Sequence, residues 1–166
     1  MILTTQRLVL TPILAEELHI LHVILNDAHV KRYLCDNDAL SLQQATEMLH
    51  QSQQHFATER FGLWFIRMHD QSDVIGLVGL WYFFDEAQPQ LLYALLPRVL
   101  GQGYATEAAA RVLDYSFHTL GYTYLTASCD QPNVASQKVA ERIGMHKTEE
   151  KIVNGNPIVF FRSNKS

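Results

Sequence analysis

The chain has 166 residues, 48% of them apolar and 18% charged, with a formal net charge of -4. That length suits one domain with a proper core, read here as residues 1–166, and the composition is that of a soluble globular protein. An acidic chain lacks the basic field that a nucleic-acid or anionic-membrane surface requires, whereas an anionic small molecule needs only a local site.

Arg7 interrupts the short apolar segment at the start, so Met1 to Leu10 does not read as a signal peptide. No apolar run approaches the ~20 residues of a membrane span. Cys35 and Cys129 form no disulfide framework and read as reduced thiols, which places the expected location in the cytoplasm.

In chain order, Arg7 to Pro12 reads as a first strand. Leu14, Leu18, Leu21 and Leu25 recur at helical spacing, which predicts an amphipathic helix over Ala15 to Asn26. His19 and His22 lie one turn apart on it, but no third ligand has matching spacing, so they read as surface histidines and no metal is expected. Asn26 to Ala39 is irregular or a short helix, with turn chemistry at Asp36-Asn37-Asp38. Ser41 and Gln44 form a capping box that starts a polar helix to about Thr58. Phe61 to Arg67 is the next strand. Val74 to Trp81 is apolar on both faces and should be a central strand, in which Gly76 and Gly79 need a bulge or close packing to justify them. Gln90 to Leu96 is a further strand, closed by Pro97. Tyr124 to Cys129 is another, followed by a helix from Val134 to Ile143 that ends at Gly144. Met145 to Val153 and Pro157 to Arg162 pair across Asn154-Gly155-Asn156. The order β-α-α-β-β-β-α-β-α-β-β defines an α/β (α+β) domain with a mixed sheet.

The chemistry concentrates in Arg98-Val99-Leu100-Gly101-Gln102-Gly103-Tyr104-Ala105-Thr106-Glu107-Ala108. A strand runs into two glycines, and a helix follows at once. Glycines let main-chain N–H groups turn toward one point, and the first helical turn adds unpaired N–H groups and a positive dipole end. This makes an anion site suited to phosphate or pyrophosphate. A dinucleotide fingerprint wants Gly or Ala where Thr106 stands, and it prefers the first βα unit; a P-loop wants Gly-Lys-Ser/Thr.

The same residues closely resemble the acetyl-CoA pyrophosphate loop of the GNAT acetyltransferases. The wording is closest to the branch that includes the ribosomal-protein-alanine N-acetyltransferases (RimJ/RimL-like). The start Thr4 to Leu10, the pair of strands around Gly62 and Gly76, and the segment Asn133-x-x-Ser136-x-Lys138-x-x-Glu141-Arg142-Ile143-Gly144-Met145 are similar to the same branch. The resemblance covers essentially the whole chain. It implies a mostly antiparallel central sheet of about seven strands with flanking helices and splayed central strands. It implies acetyl-CoA as donor, held by Leu96, Arg98, Val99, Leu100, Gly101, Gln102, Gly103, Tyr104, Ala105, Thr106, Asn133 and Lys138. The pantetheine arm would lie between the strands ending near Leu96 and Cys129. A strand N–H at Leu95 or Leu96 would stabilise the thioester oxygen, and Ser136 would lie near the sulfur as donor to the leaving thiolate. Read by spacing alone, Asn133 and Ser136 cap a helix.

The resemblance implies direct transfer to a primary amine, on a protein N-terminus or a small molecule, with neither cysteine placed as an acyl nucleophile. The expected assembly is a monomer or homodimer, with no nucleic-acid or membrane partner. The polar helix after Ser41 would wall the acceptor cleft; a solvated helix without that role is the alternative. Where many relatives read Glu-x-Gly-Tyr, this chain reads Gln90-Leu91-Leu92-Tyr93, and an amide cannot act as a base. Asp85 and Glu86 are the nearest carboxylates, and loop carboxylates are ordinarily solvated. An acyl-CoA-binding module with little or no turnover is the second reading. A dinucleotide-dependent enzyme is the third.

Overall fold

The computed structural model describes residues 1–34 and 37–166. Cys35, and Asp36 of the turn read at Asp36-Asn37-Asp38, lie outside the described residues. Among the described residues, eight strands form one sheet: β1 (Leu3–Thr4), β2 (Leu8–Pro12), β3 (Leu63–Met68), β4 (Gly76–Trp81), β5 (Gln90–Leu95), β6 (Tyr124–Asp130), β7 (His146–Val153) and β8 (Asn156–Asn164). Their order is β1-β2-β3-β4-β5-β6-β8-β7. All neighbours are antiparallel except β5 and β6. The extra strand relative to the sequence reading is β1, whose two residues are too few to carry a period-two pattern.

The α-helices of the described residues flank the sheet: α1 (Leu18–Leu25), α2 (Ala28–Leu34), α3 (Leu42–Glu59), α4 (Tyr104–His118) and α5 (Val134–Arg142). The helix expected from Ala15 begins as a 3-10 turn over Ala15–Glu17 and becomes α-helical only at Leu18. Asp27 starts α2 by accepting the N–H groups of His29 and Val30 at 2.9 and 3.2 Å. Ser41 and Gln44 make the reciprocal capping box that opens α3, at 3.0 and 2.8 Å. His22 hydrogen-bonds the Leu40 carbonyl at 3.0 Å, so it fastens the connection into α3. Among the described residues, no helix is long and apolar enough to cross a membrane.

The two faces of the sheet bury different helices. Alternation sends Leu91 and Leu95 of β5, with Leu125 and Ala127 of β6, into one core with Ala108, Val112 and Leu113 of α4 and Val139 and Ala140 of α5. Leu92, together with Leu77 of β4, faces the other core, with Leu21, Ile24 and Leu25 of α1, Val30 of α2 and Leu49 of α3. The β4 glycines answer the question raised by the sequence. A Cβ at Gly76 would stand 2.2 Å from the Ala94 carbonyl, and one at Gly79 2.2 Å from that of Gly62. Both sites therefore allow close main-chain approach.

The β7–β8 turn is tighter than the three residues expected. Val153 pairs with Asn156, and Asn154 and Gly155 both have left-handed φ, at 51° and 82°, as a type I′ hairpin requires.

Candidate active site

Strands β5 and β6 pair only at Gln90 with Thr126 and Leu91 with Ala127. Beyond that point they part, and a cavity of about 540 Å³ fills the gap. The glycine turn and α5 wall one side; α2, Phe83, Phe84 and the β7–β8 hairpin wall the other.

The turn is shaped by two glycines with left-handed φ, 79° at Gly101 and 82° at Gly103. Its internal hydrogen bonds stop at Leu100 N–H to the Pro97 carbonyl and resume at Glu107 N–H to the Gly103 carbonyl. Between them, the N–H groups of Gly101 to Thr106 have no main-chain acceptor among the described residues. A Cβ on Gly101 would meet nothing within 4 Å, so the space beside it is open. A row of free N–H groups at the start of a 15-residue helix, opening on such space, fits a pyrophosphate. Lys138 and Arg142 line the same cavity from α5, and neither is drawn into an ion pair among the described residues.

The turn is held from below by a contact the sequence reading missed. Arg7, from the start of the chain, donates through Nη1 to the Gln102 carbonyl at 2.9 Å and through Nε to Glu107 Oε1 at 2.7 Å. Its guanidinium lies 4.5 Å from the centre of the Tyr104 ring. Thr5 Oγ1 and the Arg7 N–H donate to the other carboxylate oxygen, Glu107 Oε2. Burial alone would raise the Glu107 carboxyl, but these hydrogen bonds and the Arg7 charge hold it below its ordinary value. The pair matters at this place because an uncompensated carboxylate in the first turn of α4 would repel an anion bound at its N-terminus.

Of the residues expected around the donor, Leu95, Leu100, Gly101, Gly103, Tyr104, Ala105, Thr106, Asn133, Ser136 and Lys138 line the cavity. Four others do not. Arg98 is exposed, Val99 is buried in the α4 core, and Gln102 turns its carbonyl to Arg7. Leu96 is set apart for a different reason. Its N–H donates to the Ile75 carbonyl at 2.9 Å and belongs to the β4 ladder. Since N–H directions alternate along a strand, the Leu95 N–H points the other way, toward β6. It lies past the last β5–β6 pair, so of the two N–H groups considered only Leu95 faces the gap.

Ser136 sits in the first turn of α5, whose N-cap Asn133 accepts the Ser136 N–H at 3.2 Å. The Tyr93 hydroxyl donates to the Ser136 carbonyl at 2.8 Å and ties α5 to β5. Burial pushes the Tyr93 phenol up to about 12, so it stays a donor at neutral pH. Cys129, at the strand end where the resemblance placed the crevice, also lines the cavity. Burial pushes its thiol up to about 11, against the lowering effect of a hydrogen bond with Ser136. A thiol held protonated is a poor acyl nucleophile. On the opposite wall the resemblance pointed to α3, but the lining helix is α2, through His29, Val30, Tyr33 and Leu34.

Splayed β5 and β6 strands, with a glycine turn delivering free N–H groups beside them, make a cleft suited to a phosphate-bearing ligand. The Acetyltransferase (GNAT) domain family matches residues 7–146, and the chain belongs to this family. It is accordingly an acetyl-CoA-dependent acyltransferase. The chain is similar to the uncharacterized N-acetyltransferase YoaA of Bacillus subtilis (strain 168), at 25% identity over 147 residues, 88% of this chain and 83% of that protein. Its fold is shared by an acetyltransferase from Agrobacterium tumefaciens, with a TM-score of 0.85 at 21% identity over 99% of this chain and 95% of the other. The ribosomal L7/L12 α-N-protein acetyltransferase RimL, solved in complex with coenzyme A, has a TM-score of 0.81 at 16% identity, covering 99% and 98%.

Proposed function

We propose that this cavity takes acetyl-CoA on the side of the glycine turn and passes the acetyl group to a primary amine, on a peptide N-terminus or a small molecule, entering between α2 and the β7–β8 hairpin. The carrying observation is the convergence on one gap of the free N–H groups of Gly101 and of Gly103 to Thr106, the Leu95 N–H and Ser136. RimL, which shares the fold, binds coenzyme A and acts on a protein α-amine, and this supports the reading.

Bound acetyl-CoA supplies the acetyl thioester. The chain's residues do the rest. Gly101 and Gly103 to Thr106 hold the pyrophosphate with main-chain N–H groups, and Lys138 lines the cavity for an outer phosphate. The Leu95 N–H donates to the oxygen on which negative charge develops. Ser136 passes a proton to the leaving sulfur and is reprotonated by the one the attacking amine gives up, so the products are the amide and the free thiol. Attack is direct, with both substrates bound together, because the protonated Cys129 thiol offers no acyl-enzyme route.

Arg7→Ala is expected to weaken acetyl-CoA binding about five- to tenfold, since a charge-assisted hydrogen bond that orders the turn contributes roughly 1 kcal/mol when partly exposed. Titration calorimetry on wild type and variant reads this directly, and equal affinities would show that the turn is ordered without Arg7. The function itself is tested by thiol release from acetyl-CoA with a panel of free-N-terminus peptides and primary alkyl amines, with product mass as confirmation. Acetylated amine is the expected product. Tight acetyl-CoA binding without thiol release across the panel would instead favour a binding module.

A further inference from the structure

Gln90 is 2% exposed and stands where the sheet begins to open. It is held on both sides. Its Nε2 donates to Glu86 Oε1, and its Oε1 accepts the Ser128 hydroxyl at 2.6 Å. The order of donors in this chain is forced. An ionised carboxylate only accepts, so the amide must turn its NH2 toward Glu86. Its carbonyl then faces Ser128, which must donate. The Ser128 hydroxyl proton is therefore committed, and only lone pairs of Oγ remain for the cavity that Ser128 lines.

The side of the cavity is also defined. Side chains alternate along β6, so Ala127 and Cys129 face α4 and α5, where the glycine turn and Ser136 lie. Ser128 faces away from them, on the same side of the sheet as Leu92 and the α1–α3 core. On that side α2 and Phe84 form the wall.

We propose that Ser128 is a specificity-determining residue for the acceptor: an obligate hydrogen-bond acceptor that selects an N–H of the incoming amine, its polarity fixed by Gln90 and Glu86 as positioning residues. The proposal rests on the amine-acetylating function argued above. It gives the glutamine at position 90 a purpose that does not need a titrating group there, and it draws Glu86 in from the solvated loop expected from sequence.

Glu86 reports its own protonation. Burial raises its carboxyl above the ordinary value, against the lowering effect of hydrogen bonds from Gln90 and the Phe83 main chain. Its other oxygen, Oε2, is buried without a hydrogen-bond partner among the described residues. The titratable groups near it are Asp85 on the same loop and Tyr82 at the end of β4. Behind Tyr82 stand Glu59 of α3, which accepts its hydroxyl at 3.2 Å, His55, whose ring centre is 5.5 Å away, and Tyr122. A raised carboxyl takes up its proton at a higher pH than an exposed one. As pH falls through that point the amide is free to reverse, and Ser128 then presents a donor to the cavity.

The test uses the full-length enzyme and the panel amine that wild type acetylates best. Ser128→Ala is expected to raise the KM for that amine about tenfold, with kcat and the KM for acetyl-CoA within about twofold of wild type. Ser128→Thr, which keeps the hydroxyl, should restore it. In Glu86→Gln the amine KM should rise at neutral pH and should lack the further change at acid pH expected of wild type; using one amine for both enzymes cancels the amine's own titration. An unchanged amine KM in Ser128→Ala overturns the proposal, as does a threonine variant as impaired as the alanine. A matching rise in the acetyl-CoA KM would place Ser128 on the donor side and overturn it as well. If wild type acetylates no amine, the function falls first, and the assignment of Ser128 falls with it.

Discussion

Gly103→Val is expected to remove the acetyl-CoA-dependent rise in melting temperature while leaving a folded protein. Gly103 has φ of 82°, where a β-branched residue is a strong outlier and a side chain costs roughly 1–2 kcal/mol. Its new Cβ would also lie 3.3 Å from Arg7 Nη2, in the group that fixes the turn. The strain is relieved only by moving the main chain whose N–H groups bind the ligand. A displacement that costs those contacts about 2.8 kcal/mol weakens binding roughly a hundredfold. The melting temperature of the unliganded variant should fall by about 2–8 °C for a chain of this size. Gly121→Val is the control. Gly121 has the same φ of 82°, and a Cβ there meets nothing within 4 Å. It lies outside the cavity, so the variant should lose similar stability and keep its affinity. A Gly103 valine variant that binds acetyl-CoA normally would remove the turn from the site.

Ser136→Ala is expected to lower kcat about a hundredfold, the lower range for loss of a positioned proton donor, with the KM for acetyl-CoA changed by less than about threefold. The substitution removes the hydroxyl and, with it, the hydrogen bond to Cys129. Both contacts that seat this turn of α5, Ser136 N–H to Asn133 and Tyr93 hydroxyl to the Ser136 carbonyl, use the main chain and survive in alanine. Steady-state kinetics over a range of pH check this. A kcat within twofold of wild type would show that the leaving sulfur takes its proton from elsewhere.

What could be read before folding was what is local. Strand, proline, two glycines and an apolar-periodic helix lie within one continuous stretch, so the anion site was legible at Gly101 to Thr106. The same holds for the capping box at Ser41 and for the Asn133 cap. Long-range contacts were not legible. Arg7 and Glu107 are 100 residues apart, and Gln90 and Ser128 are 38 apart. No periodicity connects such pairs; only the sheet register does. The choice between Leu95 and Leu96 is of the same kind, because it depends on the phase of β5 against β4. The short helix α2 is only one of two readings of Asn26 to Ala39, for a different reason. Seven residues hold too few turns for an apolar stripe, and its role in the cavity wall comes from packing.

The central claim is that the glycine turn between β5 and α4 is an acyl-CoA site. Thermal unfolding of the wild-type protein with acetyl-CoA, CoA, NAD and ATP in parallel tests it most directly. A ligand at about 100 times its dissociation constant adds roughly 2.7 kcal/mol, which corresponds to several degrees for a chain of this size. The account predicts a rise with acetyl-CoA and CoA and none with NAD or ATP. No rise with either thiol ligand, in protein that melts cooperatively, would contradict it, and so would an equal rise with NAD.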